Sequence, residues 1–248
     1  MAPGAPIRRV PPMPASWRDF WNRDTPIYVN DRHRSRHYAG LAEDLVGLVP
    51  GPRATLLDYG SGEALSADRV ARACARLYLC DAAPRVRSGL SRRFGAEPRI
   101  VVLAPEDLPA LPDRGLDLIV AHSVAQYLTA EEFAGLLRLW HAKLRPGGLL
   151  IVADVIPPDL GPLADALALL GFGYREGFLA AALAGLLRTA LSDYPSLRRR
   201  LGLTRYDRDE MLARLREAGF DAEPRANLGH NRRRLAFAAR RPAARAPA

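Results

Sequence analysis

The sequence predicts an α/β fold, with a doubly wound, mostly parallel sheet of seven strands, an antiparallel last strand and a helical insertion. Short apolar strands alternate with amphipathic helices through most of the chain, which is typical of parallel βαβ units covered on both faces. A glycine-rich turn joins the first strand to its helix. The 248 residues, 48% hydrophobic and 25% charged, are sufficient for one large globular core.

The alternation predicts each element in order. A helix is expected at 41–49, then a strand at 55–59 and, after the glycine turn, a helix at 66–75. A turn at 145–148 is expected to end the helix before the fifth strand, because its proline cannot continue a helix. The other predicted strands are 77–81, 100–103, 116–121, 149–153, 220–227 and 235–239, and the other predicted helices are 84–94, 130–144 and 207–218.

Two segments stand outside this alternation. Residues 15–40 mix aromatic, arginine and histidine side chains, which suits either a cap over a polar ligand or a surface helix attached by its aromatics. Residues 157–204 are predicted to be an apolar helical insertion, with helices at 160–170 and 177–191 and a break at 171–174. The predicted organisation is a disordered tail at 1–14, a cap at 15–40, a core at 41–156, the insertion at 157–204, the end of the core at 205–240 and a tail at 241–248.

The formal charge of +9 is confined to the two ends of the chain. Residues 1–40 carry seven arginines against three aspartates, and residues 221–248 carry seven arginines against two acids. The remaining bases and acids, 22 of each, cancel in residues 41–220. The central body therefore lacks the basic excess of a nucleic-acid binder, and the basic ends are expected to be solvated.

The cysteines and apolar stretches bear on the cellular location. Cys74 and Cys80 are six residues apart, which fits neither a disulfide framework nor a zinc site. The start of the chain has no continuous apolar stretch of the kind that a secretory signal contains. The longest apolar stretch, residues 178–187, is shorter than the ~20 residues that span a bilayer. We therefore expect a cytoplasmic protein with no transmembrane segment.

The residues with the clearest chemical meaning surround the glycine turn. Gly60 and Gly62 allow the backbone to approach a ligand closely, and the following helix presents its N-terminus. Asp81, 21 residues after Gly60, ends the next strand, where a carboxylate can accept hydrogen bonds from a ribose diol. These elements predict a nucleoside site in one crevice, with Ser61 and Ala82 beside it.

The stretch from Asp58 to Ala64 distinguishes between nucleotide cofactors. A nicotinamide or flavin protein would have a third glycine at position 65, which is leucine here. The chain instead resembles the class I S-adenosylmethionine-dependent methyltransferases, whose first motif has an acid and spaced glycines; Ala64 replaces the last glycine. The resemblance extends from about residue 40 to residue 239, and includes Asp81, the strand at 116–121 and the Pro-Gly-Gly turn.

The resemblance implies a Rossmann-like fold, S-adenosylmethionine as the cofactor, and a position for Asp58 near the sulfonium and amino groups. The alternative for Asp58 is an acid that only bonds the glycine turn. At the adenine end, Ala104 and Pro105 stand where many relatives have an aspartate followed by a backbone N–H that contacts the ring. Candidate replacements are Glu106 and Asp107, although Asp107 suits the start of a helix better.

The carboxyl edge of the sheet carries further candidates, because open α/β folds bind ligands there. Cofactor or acceptor contacts are expected from His122, Ser123, Gln126 and Tyr127 after the fourth strand and from Asp154 at the end of the fifth. An antiparallel last strand places the turn with His230 and Asn231 at the same edge. His230, Tyr127 and His122 are the candidate catalytic residues, since an imidazole titrates near neutral pH. The alternative for His230 is a solvated turn residue, and no metal site is predicted.

Methyl transfer from a sulfonium depends chiefly on alignment, so the lack of a catalytic triad is compatible with activity. We expect in-line transfer to N, O or C of a small or amphiphilic acceptor, in a pocket covered by the cap and by the insertion as a lid. The alternatives are an RNA or protein methyltransferase that uses the basic ends, and a non-catalytic binding scaffold. The surplus apolar residues of the insertion would equally suit a homodimer interface.

Overall fold

A computed structural model describes residues 14–23, 28–192 and 194–243 of the chain. In this part, one sheet is formed by β1 (Thr55–Tyr59), β2 (Arg76–Cys80), β3 (Ile100–Leu103), β4 (Leu116–His122), β5 (Leu144–Val155), β6 (Asp221–Arg225) and β7 (Leu235–Arg240). The strand order is β3-β2-β1-β4-β5-β7-β6. Strands β1 to β5 pair in parallel, whereas β7 is antiparallel to both β5 and β6. The predicted doubly wound sheet with an antiparallel last strand is confirmed.

Several helices begin at a polar side chain that caps the first turn. Side-chain oxygens of Ser16, Asn30, Thr129 and Asp207 each accept a hydrogen bond from the backbone N–H three residues later. Such a cap typically contributes about 1 kcal/mol. The helices are α1 (Trp17–Trp21), α2 (Asp31–Val46), α3 (Ala67–Ala73), α4 (Pro84–Phe94), α5 (Ala130–Lys143), α6 (Pro162–Glu176), α7 (Leu179–Ala190), α8 (Tyr194–Leu201) and α9 (Arg208–Glu217), with 3₁₀ helices at Pro105–Ala110 and Ala125–Tyr127.

The sheet separates two apolar cores. Successive side chains of a strand point to opposite faces, so Leu57 of β1 belongs to one core and Leu56 to the other. The first core includes Trp140 of α5 and Phe237 of β7, both fully buried. Residues of α2, α3 and α4 pack into the second. This two-sided burial leaves the ends of the strands, rather than their faces, available for a ligand.

Three predicted boundaries are wrong. The helix expected at 41–49 begins at Asp31, because Asn30 caps it ten residues before its apolar stretch. The break expected at 171–174 is absent, and α6 continues to Glu176 before Gly177 ends it at a φ of +74°. Residues 145–148 lie in β5, because α5 already ends at Lys143.

The insertion at 157–204 is helical, as predicted, and consists of α6, α7 and α8. It follows the carboxyl end of β5, the edge at which such sheets bind ligands. Of the predicted tails, residues 1–13 and 244–248 lie outside the described part of the chain. Arg241, assigned to the second tail, is instead bonded to the sheet, since its backbone N–H donates to Gly148 O at 2.9 Å.

Candidate active site

The glycine turn after β1 folds across the end of β2. The backbone N–H groups of Gly60 and Ser61 donate to Cys80 O at 2.8 and 3.1 Å. Gly60 has a φ of +74°, and a Cβ there would lie 2.3 Å from Cγ2 of Val124. Gly62 has a φ of +57°. The turn therefore requires glycine for both backbone conformation and space.

Asp81 is oriented by two backbone groups at the end of the crevice. Its Oδ2 accepts from the N–H of Gly62 at 3.0 Å, and its Oδ1 accepts from the N–H of Ala83 at 2.8 Å. Burial raises the pKa of Asp81, and the two hydrogen bonds act in the opposite direction. Ala82 lies in the turn between Asp81 and Ala83. The structure thus brings Asp81 and the glycine turn together.

Asp58 lies beneath the glycine turn, on the side of the sheet that faces α2. Its side chain is buried, and burial together with the charge of Asp81 raises its pKa to about 7. Ser61 is also buried, and its Oγ has no hydrogen-bond partner in the described part of the chain. Asp58, Ser61 and Tyr38 line one small cavity. A buried polar atom without a partner costs about 1–3 kcal/mol, which a ligand hydrogen bond at Ser61 would offset.

The two acids after β3 differ in their surroundings. Asp107 Oδ2 accepts from the N–H of Ala104 at 2.8 Å and so begins the 3₁₀ helix, in agreement with the helix-start interpretation. Glu106 is exposed and pairs with Arg18 of α1 at 3.5 Å. The partners that these two carboxylates have in the structure do not indicate a contact with a cofactor.

Two strained residues lie side by side at the ends of β4 and β5. Ser123 has a φ of +58° and Asp154 a φ of +59°, a conformation that costs non-glycine residues about 1–3 kcal/mol. The Oγ of Ser123 donates to Asp154 Oδ2 at 2.5 Å and lies 3.2 Å from Nδ1 of His122. Strain of this kind is concentrated at functional sites, which supports a role for this edge of the sheet.

Four of the five histidines of the chain form a cluster at the same edge. His37 of α2 has its ring centroid 6.2 Å from those of His122 and His230, and His33 lies 6.4 Å from His230. Phe172 of α6 stacks on His230 at 4.4 Å and 10°. This set, called the histidine cluster below, consists of His33, His37, His122 and His230.

The histidine cluster is neutral. Burial lowers the pKa of His37 to about 3 and that of His33 to about 4, and the neighbouring histidines act in the same direction. Burial also lowers the pKa of His122 and of His230, although the Asp154 carboxylate opposes both shifts. Nδ1 of His33 accepts from the N–H of Val29 at 3.3 Å, as an unprotonated nitrogen can.

Of the three candidate catalytic residues, the structure brings His122 and His230 together but not Tyr127. The Tyr127 ring lies 5.0 Å from Trp17 and 5.6 Å from Trp21 of α1. Its neighbours are thus the aromatic side chains of the predicted cap.

Asp165 attaches the insertion to the core. Arg234 donates to it through Nε at 3.1 Å and through Nη2 at 2.8 Å, and Asn231 Nδ2 donates at 3.1 Å. At the other end of α6, Arg36 of α2 pairs with Glu176 at 3.3 Å. The insertion is thereby held on both sides of the histidine cluster.

Sequence reasoning missed part of this site. His33 and His37 were considered only as members of the cap, although their spacing of four residues places them on one face of a helix. The Arg234–Asp165 pair joins positions 69 residues apart and has no local signal. Phe172 and Phe178 were predicted only as surplus apolar residues of the lid.

Other features of the described residues bear on function. Both cysteines are free and buried. Within residues 14–23, 28–192 and 194–243, no group of three His, Cys, Asp or Glu side chains is arranged to hold a metal ion. In the same ranges no helix has the length and apolarity to cross a membrane.

The middle of the chain matches a known family by sequence. Residues 57–152 match the model of the methyltransferase domain. This range contains the glycine turn, Asp81 and the end of β4. It does not include Asp154 or three members of the histidine cluster, His33, His37 and His230. No curated protein matches the chain by sequence.

Solved structures share the fold at low sequence identity. One solved structure is a complex between the Trm112 methyltransferase activator of Haloferax volcanii and a methyltransferase. One chain of this complex has a TM-score of 0.59 and 16% identity, with 92% of this chain and 98% of that chain covered. The pyocyanin biosynthetic protein PhzM has a TM-score of 0.57 and 15% identity, with 91% of this chain and 62% of PhzM covered. SibL, an S-adenosylmethionine-dependent methyltransferase, has a TM-score of 0.54 and 20% identity, with 83% of this chain and 54% of SibL covered. This chain therefore spans about half of SibL. Residues 57–152 thus match a methyltransferase domain by sequence, and the chain shares the fold of these solved structures.

Proposed function

We propose that the chain transfers a methyl group from S-adenosylmethionine to a small or amphiphilic acceptor in the cytoplasm. The observation that carries this proposal is the neutral histidine cluster, which lies at the ligand edge of the sheet and is covered by aromatic side chains of the insertion. A surface of neutral imidazoles and phenyl rings favours an acceptor without a high charge.

The residues of the crevice fit the cofactor. Gly60 and Gly62 would allow the cofactor to lie close to the backbone of the turn. Asp81 would accept hydrogen bonds from the ribose hydroxyls, and the Oγ of Ser61 would gain a hydrogen-bond partner. Asp58 would face the cationic end. When bound, S-adenosylmethionine supplies an activated methyl group and leaves as the neutral thioether, S-adenosylhomocysteine.

The protein's own contribution to the reaction is alignment and, where the acceptor loses a proton, a base. The insertion places Phe172 and Phe178 against His230 and His33, with ring separations of 4.4 and 5.0 Å. His230 is half-buried and neutral at pH 7, so it can accept the proton that an O–H or N–H acceptor releases. These side chains would align the acceptor's lone pair with the methyl group that the cofactor would supply, and the electrons of the S–C bond would remain on its sulfur.

Three arginines of the basic ends bind acceptors within the chain. Arg234 is 11% exposed and bound to Asp165, and Arg241 Nη1 donates to the main-chain oxygen of Ala142 at 3.1 Å. Arg32 Nε likewise donates to Glu176 O at 2.6 Å. Arginines that satisfy internal acceptors are not available to phosphates, which favours the small-molecule proposal over a nucleic-acid acceptor.

The insertion also has an outward apolar face. Its exposed large side chains are Leu163, Leu167, Tyr174, Leu179, Leu183, Leu187 and Leu191. They face away from the histidine cluster, so the acceptor pocket does not account for them. A second copy of the chain remains our prediction for this face, because homodimer interfaces are rich in apolar side chains and poor in charge at their centre.

The decisive experiment is incubation of the protein with methyl-labelled S-adenosylmethionine and fractionated cell extract. We expect label in a low-molecular-weight, extractable product. Label in RNA or in protein would overturn the acceptor class, and cofactor binding without transfer to any fraction would favour a non-catalytic scaffold.

Two variants test the site itself. Asp81→Ala should weaken S-adenosylhomocysteine binding by one to two orders of magnitude, as expected for loss of a charge-assisted hydrogen bond. His230→Gln should lower kcat while leaving cofactor affinity unchanged. Tyr174→Ala is the control, because it removes an exposed aromatic side chain of the insertion that lies outside the site.

A further inference from the structure

Helix α1 is attached to two segments that follow neighbouring strands. Its C-cap residue, Asn22, accepts a hydrogen bond from the backbone N–H of Arg85, in the first turn of α4 after β2, at 3.0 Å. Arg18 pairs with Glu106, after β3, at 3.5 Å. Since β2 and β3 are adjacent in the sheet, α1 lies across their carboxyl ends.

The aromatic residues of α1 reach a third segment, which follows β4. Trp21 lies 5.6 Å from Tyr127, and Trp17 lies 5.0 Å from the same ring. Trp17 Nε1 also donates to Gly202 O at 2.8 Å, at the end of the insertion. The contacts after β2, β3 and β4 surround the part of the crevice in which Asp81 lies.

The segment after β4 contains a buried acceptor with no partner. Gln126 is 5% exposed, and its Oε1 makes no hydrogen bond to any residue that the structure describes. Buried acceptors are nearly always satisfied, so an unsatisfied one in the segment that contacts α1 through Tyr127 is a candidate partner for a donor that a ligand brings. Ala104 has no carboxylate and its N–H already donates to Asp107, and Pro105 has no N–H to give to such a ligand.

We infer that α1 and residues 125–127 close the nucleoside end of the cofactor site, with the indole of Trp21 covering the adenine and Gln126 accepting from its amino group. This rests on S-adenosylmethionine being the cofactor and not on the class of acceptor. Adenine presents a flat π face and an exocyclic amino donor, which an indole ring and a free carbonyl oxygen complement.

Calorimetric titration with S-adenosylhomocysteine and with 5′-methylthioadenosine tests the inference, because both carry the nucleoside and only the first carries the amino-acid end. Trp21→Ala should weaken both ligands about tenfold or more, as loss of base stacking does, whereas Trp21→Phe should stay within a few-fold of wild type. Gln126→Leu should weaken both ligands as well. Tyr174→Ala, on the outward face of α6, is the control and should change neither affinity.

Hydrogen exchange of the wild-type protein provides a readout that needs no variant. S-adenosylhomocysteine should slow exchange in residues 16–22, since the ligand would hold α1 in place. Unchanged exchange there, or full affinity in a folded Trp21→Ala protein, would overturn the inference. If Asp81→Ala loses binding while Trp21→Ala retains it, only the role of α1 is wrong. If wild type binds neither ligand, the cofactor site itself is wrong.

Discussion

The ionisation of Asp58 should make cofactor affinity depend on pH. Burial and the charge of Asp81 raise the pKa of Asp58 to about 7, so in the free protein it is largely protonated in mildly acidic solution. A bound cationic ligand stabilises the carboxylate and lowers this pKa, which couples binding to release of a proton. Affinity should therefore increase as pH rises towards and through 7.

The size of the effect follows from the ionised fraction of Asp58. With a pKa of about 7, that fraction rises roughly 25-fold between about pH 5.5 and about pH 7.5, and affinity should rise by a comparable factor. Two members of the histidine cluster contribute little in this range, because burial lowers the pKa of His33 to about 4 and that of His37 to about 3. The raised pKa of Asp81 acts in the same direction as that of Asp58.

Isothermal titration calorimetry in two buffers of different ionisation enthalpy measures both the affinity and the number of protons released. Asp58→Asn should weaken binding above pH 7 and make the affinity nearly independent of pH. An affinity that is flat across this range in wild type, or a slope that persists unchanged in Asp58→Asn, would refute the placement of Asp58 beside the cationic end.

Three further outcomes are expected. Gly60→Val should abolish S-adenosylhomocysteine binding with the circular dichroism spectrum retained, because its side chain would overlap Val124; measurable binding would contradict the close approach. Arg234→Met should raise the KM for the acceptor and speed hydrogen exchange in 162–190 without changing cofactor affinity, because Asp165 loses its anchor; unchanged exchange would show that the pair does not hold the insertion. Removing residues 1–13 and 244–248 should leave turnover unchanged, since every site contact described lies between them; lost turnover in a folded protein would revive the nucleic-acid acceptor.

Local pattern was sufficient for the fold class and for the cofactor end of the site. Alternating apolar strands and helices determine a parallel sheet, and the glycine turn with Asp81 lies within one short stretch of chain, so nearby residues encode its geometry. The antiparallel last strand placed His230 at the ligand edge by topology alone. The errors concerned element boundaries: the start of α2 at Asp31, where a single cap outweighs the apolar pattern, the break expected inside α6, and the turn at 145–148 that lies in β5.

The acceptor end of the site depends on contacts between distant segments. His37 and His230 are brought within 6.2 Å by the packing of α2 against the β6–β7 turn, which no local periodicity specifies. The same packing removes these imidazoles from water and so sets their neutral state, because burial is a property of the assembled structure. The sequence by itself determined the sheet, and it predicted the cofactor and the strand ends at which we expect it to bind. Tertiary structure alone decided which histidines meet and which side chains of the insertion cover them, because those contacts join segments that only the folded chain brings together.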